Sequence, residues 1–231
     1  MRRHGNATER PFGLQGPGIE TVACAHGGTA ASSHAAEGCE AAVRRLNGVL
    51  IAALSQMLPA DSATTGNLVL PDIPSRFLGA TFFPRGDADG WPMFEAPLRI
   101  RAGIRLGVLH IALAHYDAVP ANDDCPDKDR LADMASKGMT QHRCDRTVVE
   151  GAIVVVHDTS APHGAGQFAG TFLHDLSVTA YRPDGMRVWV TLSPVVEHTP
   201  EDADARRAVT ENILTLAQLQ TLAMDSKFVV A

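Results

Sequence analysis

The segment that decides the fold is TFLHDLSVTAYRPDGMRVWVTLSP, residues 171–194. Apolar residues alternate with polar ones on both sides of the R-P-D-G sequence at 182–185. This alternation is typical of strands whose two faces differ in burial. Pro183 presets φ for a turn and Gly185 accepts a positive φ, so the two halves are predicted to pair as an antiparallel hairpin.

A helix is predicted to follow the hairpin in LTLAQLQTLA, residues 214–223. Thr215, followed three residues later by Gln218, has the spacing of a capping box at the start of a helix. The apolar face of this helix consists of Leu216, Leu219, Leu222 and Ala223. A second amphipathic helix is predicted over residues 35–58 and ends at Pro59. Its apolar residues recur every three or four positions: Val43, Leu46, Leu50, Leu54 and Met57.

The residues between the two helices predict mainly β structure. Strands are expected at 67–70, 77–83, 98–102, 104–116 and, as a tight hairpin or one kinked strand, 147–156. Gly107 is a plausible β-bulge, and the polar stretches 121–129 and 137–144 are predicted to be loops. We therefore expect an α+β fold, in which an N-terminal and a C-terminal helix pack on one face of an antiparallel sheet.

Residues 1–35 have no sustained periodicity and predict a disordered leader or linker, which leaves 36–231 as a single α+β domain. The net charge of −6 and the scattered basic residues argue against a nucleic-acid partner, because binding phosphates requires clustered Lys and Arg. The sequence has no apolar run long enough for a transmembrane segment. The N-terminus also lacks the uninterrupted apolar core of a signal peptide.

Cys24, Cys39, Cys125 and Cys144 are the four cysteines, and they form no C-x-x-C pair. Two local disulfides are conceivable, Cys24 with Cys39 and Cys125 with Cys144. The second would close a polar loop between predicted strands. The alternative is free thiols in a cytosolic protein. Zinc binding by Cys125, His142 and Cys144 is less expected, since the H-x-C spacing is unusual for a structural site.

The candidate ligand-binding residues lie in and around the histidine-rich loop and the closing hairpin: His157, Asp158, His163, His174 and Trp189. The two neighbouring His-Asp pairs, at 157–158 and 174–175, form no dyad alone, because adjacent strand residues point to opposite faces. No G-x-S-x-G elbow exists, so no catalytic residue is assigned. The G-x-G-x-x-A match at 164–169 precedes a strand rather than a helix, so no cofactor is predicted.

No metal site is predicted either. His110 and His115 fall on opposite faces of one strand unless Gly107 shifts the register, so they are not expected to share an ion. The aspartates between residues 121 and 129 lack the spacing of a calcium-binding loop.

The closing hairpin and helix resemble those of a large group of uncharacterised actinobacterial proteins, many of them secreted, lipid-anchored or attached to the membrane. The shared pattern is a strand, R-P-D-G, a second strand, a linker, and L-T-x-x-Q-L-x-x-L-A before an aromatic residue. In this chain the pattern comprises residues 181–185, Leu214-Thr215, Gln218-Leu219, Leu222-Ala223 and Phe228. A helix running into L-P, here Leu54 to Pro59, and the pair Cys125 and Cys144 extend the resemblance over residues 36–230.

The resemblance implies an extracytoplasmic α+β domain with one disulfide, Cys125–Cys144, and it implies no particular activity. The chain departs from the group in lacking a convincing signal segment and in carrying the Cys24–Cys39 region, so a cytoplasmic location is the alternative. The expected function is a non-enzymatic, envelope-associated or secreted domain that binds a protein or a small ligand. The alternative is a metal- or His/Asp-dependent enzyme that uses the loop 157–174.

Overall fold

A computed structural model describes residues 39–65, 74–86, 92–119, 125–162, 172–195 and 211–230. The predicted leader, the strand expected at 67–70, Trp91 and His163 lie outside these ranges. The helices are α1 (Cys39–Met57), α2 (Lys128–Ser136) and α3 (Leu216–Met224). The strands are β1 (Ala63–Thr65), β2 (Phe83–Gly86), β3 (Pro92–Ala102), β4 (Arg105–His115), β5 (Thr140–Val149), β6 (Ala152–Pro162), β7 (Phe172–Tyr181) and β8 (Met186–Val195).

The described strands form one eight-stranded sheet in the order β1-β3-β4-β8-β7-β6-β5, and β2 also pairs with β3. Every pair of named strands is antiparallel. The α+β class and the antiparallel sheet are thus confirmed. The last strand, β8, lies between β4 and β7 in the middle of the sheet. The closing hairpin therefore joins the strands that precede α2 to those that follow it.

The closing hairpin has the predicted register and turn. Val178 pairs with Val190 and Ala180 with Val188, and Gly185 has a φ of 81°. The capping box of α3 is also confirmed, because the Thr215 amide donates to Gln218 Oε1 at 2.8 Å and the Gln218 amide donates to Thr215 Oγ1 at 3.3 Å.

Arg182, the first residue of R-P-D-G, does more than form a turn. The residue is 3% exposed, and its guanidinium donates to the carbonyl oxygens of Asp225 at 2.8 Å and Phe228 at 3.0 Å. It also contacts the Asp184 carboxylate and the Ser226 carbonyl. The arginine thereby fastens the segment after α3 to the hairpin.

A hydrophobic core joins the sheet to two of the helices. Its members include Leu46, Leu50 and Leu54 of α1, Leu219, Leu222 and Ala223 of α3, and Leu98, Leu109, Ile111, Val178, Val190 and Leu192 of the sheet. Among the residues that the structure describes, no helix is long and apolar enough to cross a membrane.

Three local predictions were wrong. The segment predicted as a strand at 77–83 is a turn at 78–79 followed by irregular chain. Phe77 forms one isolated bridge to Thr64, and β2 begins only at Phe83. Residues 140–144 of the predicted loop 137–144 belong to β5, because pairing with β6 overrides their polar composition. Part of the predicted loop 121–129 belongs to α2, whose N-cap is Asp127.

Gly107 forms no bulge, because β4 keeps continuous register with both β3 and β8. A Cβ at this position would lie 3.2 Å from Leu192 Cδ1 and 3.4 Å from the Ser193 carbonyl oxygen. Close packing between β4 and β8 therefore explains the glycine. The remaining predicted strands are present, and the region at 147–156 is a hairpin that turns at Glu150 and Gly151.

Candidate functional site

The first candidate site is a cluster of polar side chains on β5, β6 and β7. Ser160 lies directly across from His174 in the β6–β7 pairing. His142 is the extra residue at the register shift between Gln141 and Arg143 in β5. A bulge of this kind re-aims a side chain, and His142 Nε2 lies 2.7 Å from Ser160 Oγ.

The two histidines of this cluster stack on each other. Their ring centroids are 4.9 Å apart and the rings are inclined by only 17°. His174 Nδ1 lies 3.5 Å from Asp158 Oδ1. The Asn212 amide nitrogen donates to the His174 carbonyl at 2.8 Å. Asp158, Ser160, His142 and His174 thus form one contiguous group of hydrogen-bonding side chains, termed here the histidine cluster.

A cleft of about 490 Å³ borders the histidine cluster. Its lining combines acceptors with apolar side chains: Asp158, His174, Leu176, Glu211, Asn212, Leu214 and Thr215. The Asn212 Oδ1 atom is buried without a hydrogen-bond partner. The described residues contain no group of three or more His, Cys, Asp or Glu side chains placed to hold a metal ion.

The second candidate site is the surface around Trp189 on β8. Trp189 is one of the few large apolar side chains exposed within the described residues, at 39%. Its indole N–H donates to Ser177 Oγ at 3.1 Å, and its ring meets the His110 ring edge-on at 5.7 Å. His110 Nε2 lies 3.9 Å from Glu95 Oε2. These side chains belong to four adjacent strands, which hold them on a common surface.

The five predicted site residues do not form one site. The structure brings Asp158 and His174 together, whereas His157 lies across from Ser177 and therefore on the face that carries Trp189. His163 lies outside the described residues. His110 and His115 fall on opposite faces of β4, as predicted, because the strand register is continuous.

No pattern in the sequence indicated that His142, Ser160 and Asn212 would be neighbours of Asp158 and His174. A hairpin turning at Glu150 and Gly151 would have placed His142 across from Thr159, and only the bulge moves it next to Ser160. The contact between Ser177 and Trp189 could have been predicted, because the hairpin register alone places these two residues on one face of the sheet.

The predicted disulfide is present between Cys125 and Cys144, with a Cα–Cα distance of 5.5 Å. It ties the chain just before α2 to β5 beside His157. The other conceivable pair includes Cys24, which lies outside the described residues.

Tyr116 connects β4 to the closing turn. Its hydroxyl donates to the Arg182 carbonyl at 2.7 Å, and its ring packs edge-on against Tyr181 at 5.1 Å. Burial is the larger of two causes that raise the pKa of the Tyr116 hydroxyl, and the negative charge of the nearby Asp184 carboxylate is the smaller. The group therefore supports the turn in its neutral form.

Comparison with known proteins indicates no function for this chain. The chain matches no protein-family model, and it has no significant match among curated proteins or solved structures.

Proposed function

We propose that this chain is a non-enzymatic, secreted or envelope-associated domain that binds a protein or a small ligand through the sheet face carrying Trp189. The observation that carries the proposal is that the Trp189 side chain is held by a hydrogen bond and is nevertheless exposed. Its N–H is already bonded to Ser177, yet the residue remains 39% exposed on a central strand. Exposed, well-held aromatic side chains are the groups that contribute most to recognition surfaces.

The proposal includes the packing of α1 and α3 on the opposite face of the sheet. It is supported by strand parity: Val188, Val190 and Leu192 belong to the core cluster together with helix residues. Trp189 alternates with them along β8. If both helices cover the core side, the Trp189 side is left for a partner.

The proposed location outside the cytoplasm, in keeping with the actinobacterial group that the chain resembles, is supported by the Cys125–Cys144 disulfide. Disulfides persist in oxidising compartments and are rare in the cytosol. Counting free thiols by mass spectrometry on protein from its native host tests this location. Cys125 and Cys144 should resist alkylation until a reductant is added, and quantitative alkylation without reductant would place the protein in the cytoplasm.

Binding is tested by NMR on ¹⁵N-labelled protein carrying Trp91→Phe. The chain has two tryptophans, so this variant leaves Trp189 as the source of the single indole N–H signal. Mixtures of small molecules and short peptides are screened for a shift of that signal and of the Ser177 amide. A ligand that shifts both supports the proposal, and ligands that bind only elsewhere on the domain contradict it.

Val148 offers a matched control, since it is a 73% exposed apolar residue on the edge strand β5. Val148→Ala should leave binding unchanged, whereas Trp189→Ala should weaken it about tenfold or more. Equal losses in the two variants would indicate a general effect on folding rather than a binding surface.

A second candidate function is a His/Asp-dependent or metal-dependent enzyme, favoured by the contacts within the histidine cluster. His142 Nε2 is within hydrogen-bond distance of Ser160 Oγ, the arrangement in which an imidazole can take a proton from a hydroxyl nucleophile. Asp158 beside His174 adds a carboxylate–imidazole contact. Elemental analysis for zinc and calcium, with ester-hydrolysis assays of wild type and Ser160→Ala, tests this reading. Stoichiometric metal, or hydrolysis lost in the variant, would favour the enzyme over the binding domain.

A further inference from the structure

The indole of Trp189 is oriented by its neighbours before any ligand arrives. The Ser177 hydroxyl accepts its N–H, and the His110 ring meets it at an interplanar angle of 81°. Ala112, a small residue, lies directly across from Trp189 on β4. A ring held in this way loses little conformational freedom when a ligand stacks on it.

The groups around the ring are hydrogen-bonding and of mixed character. Thr191 follows Trp189 on the same face of β8 and pairs with His110, while the Glu95 carboxylate lies beside the His110 ring. Hydroxyl, imidazole and carboxylate groups therefore lie beside the exposed indole, with the His110 and Glu95 side chains 23% and 12% exposed. We name this surface, formed by Trp189, His110, Ser177, Thr191 and Glu95, the Trp189 platform.

The charges near the platform are of both signs. Arg187 lies two residues before Trp189 on β8, and its guanidinium stands 5.7 Å from the Tyr181 ring. The Glu95 carboxylate lies beside His110. One positive and one negative group give this face no preference for a cation or an anion by net charge. A neutral ligand that combines an apolar face with many hydroxyl groups suits such a surface.

We infer that the Trp189 platform binds a neutral saccharide, an inference that rests on the proposed binding function of the same face. One side of a pyranose ring presents C–H groups, which pack on an indole, and its edge presents hydroxyls that donate and accept. The platform offers the complementary set: an aromatic face with hydroxyl, imidazole and carboxylate groups beside it. Two classes of contact on one ring then fix both the position and the orientation of the sugar.

The test is a fluorescence titration of the full-length Trp91→Phe variant, in which Trp189 is the single tryptophan. The probes are soluble oligosaccharides of glucose, N-acetylglucosamine and mannose. We expect at least one of them to change the emission saturably. Calorimetry should then show affinity reduced about tenfold or more in Trp189→Ala, and unchanged in Val148→Ala. Ser177→Ala, which frees the indole N–H, should weaken binding by a smaller factor.

The inference is overturned if no oligosaccharide gives a saturable response, or if Trp189→Ala binds as tightly as wild type. The indole N–H signal separates this failure from that of the proposed function. If peptides or other small molecules shift the signal and saccharides do not, only the saccharide inference falls. If no ligand of any class shifts it, both fall.

Discussion

Replacing Arg182 by alanine should destabilise the domain far more than the removal of one turn residue would suggest. The residue is 3% exposed, and its guanidinium donates to two carbonyl oxygens at 3.0 Å or less, those of Asp225 and Phe228. Without the guanidinium, the buried Phe228 carbonyl loses this donor, which costs about 1–3 kcal/mol. The Asp225 carbonyl still accepts from the Phe228 amide at 3.0 Å and loses one hydrogen bond from a charged group, about 1.5 kcal/mol. Because water can enter part of the space, we expect a total loss of about 3–4 kcal/mol in the free energy of unfolding.

The assay is urea denaturation followed by circular dichroism. Arg182→Lys keeps the charge, but one ammonium does not reproduce the planar fork of an arginine. Its expected loss is intermediate, about 2 kcal/mol. The control is Lys137→Ala, which removes an exposed ion pair with Asp133 and should cost less than about 0.5 kcal/mol. A loss below about 1 kcal/mol for Arg182→Ala would refute the idea that Arg182 clamps the segment after α3 to the hairpin.

Hydrogen exchange gives an independent readout of the same contact. In Arg182→Ala the amides of residues 225–228 should exchange faster than the loss of global stability alone explains. The amides of β6 should lose no more protection than that global loss accounts for. If protection of the two regions falls in parallel, Arg182 contributes only to global stability and does not hold the C-terminal segment locally.

Three further outcomes follow from local geometry. Thr215→Ala removes one half of the capping box and should lower the unfolding free energy by about 1 kcal/mol in urea denaturation; an unchanged midpoint would contradict the cap. Loss of the Cys125–Cys144 disulfide should cost about 3 kcal/mol, measured by urea denaturation without reductant of the wild type and of a Cys125→Ser/Cys144→Ser variant; equal midpoints for the two proteins would contradict this. The raised pKa of Tyr116 predicts a constant contribution below about pH 10, the tyrosine pKa of the unfolded chain. Above that pH the unfolded state ionises first, so the unfolding free energy should fall until the pKa of the folded state is passed; a fall equally steep in Tyr116→Phe would assign it to other groups.

The features that could be predicted from the sequence are those set by neighbouring residues. The turn at Pro183 and Gly185 and the cap at Thr215 depend on backbone preferences within a few positions, and both are present as expected. β2 and α2 were missed. No residue of α2 is buried, so the helix carries no apolar periodicity from which it could be predicted.

The candidate sites depended on contacts across the sheet. Asp158 and His174 were singled out by residue type, but only the β6–β7 register shows that Leu176 lies across from Asp158 and Ser160 across from His174. The position of His142 depends on a bulge that no local signal indicates. Strand order, with β8 inserted between β4 and β7, is what places His110 beside Trp189, although the two residues lie far apart in the sequence.

The closing hairpin links the stability of the domain to its proposed recognition surface. In β8, Val188 and Val190 are buried on one face, and Trp189 between them is exposed on the other. Shifting the β7–β8 pairing by one residue would exchange the two faces, turning Trp189 inward and its valine neighbours outward. The turn at Gly185 and the Arg182 clamp both oppose that shift, since one sets the loop length and the other ties the turn to the segment after α3. The residues that hold the hairpin in register are therefore the same ones that keep the indole of Trp189 available to a ligand.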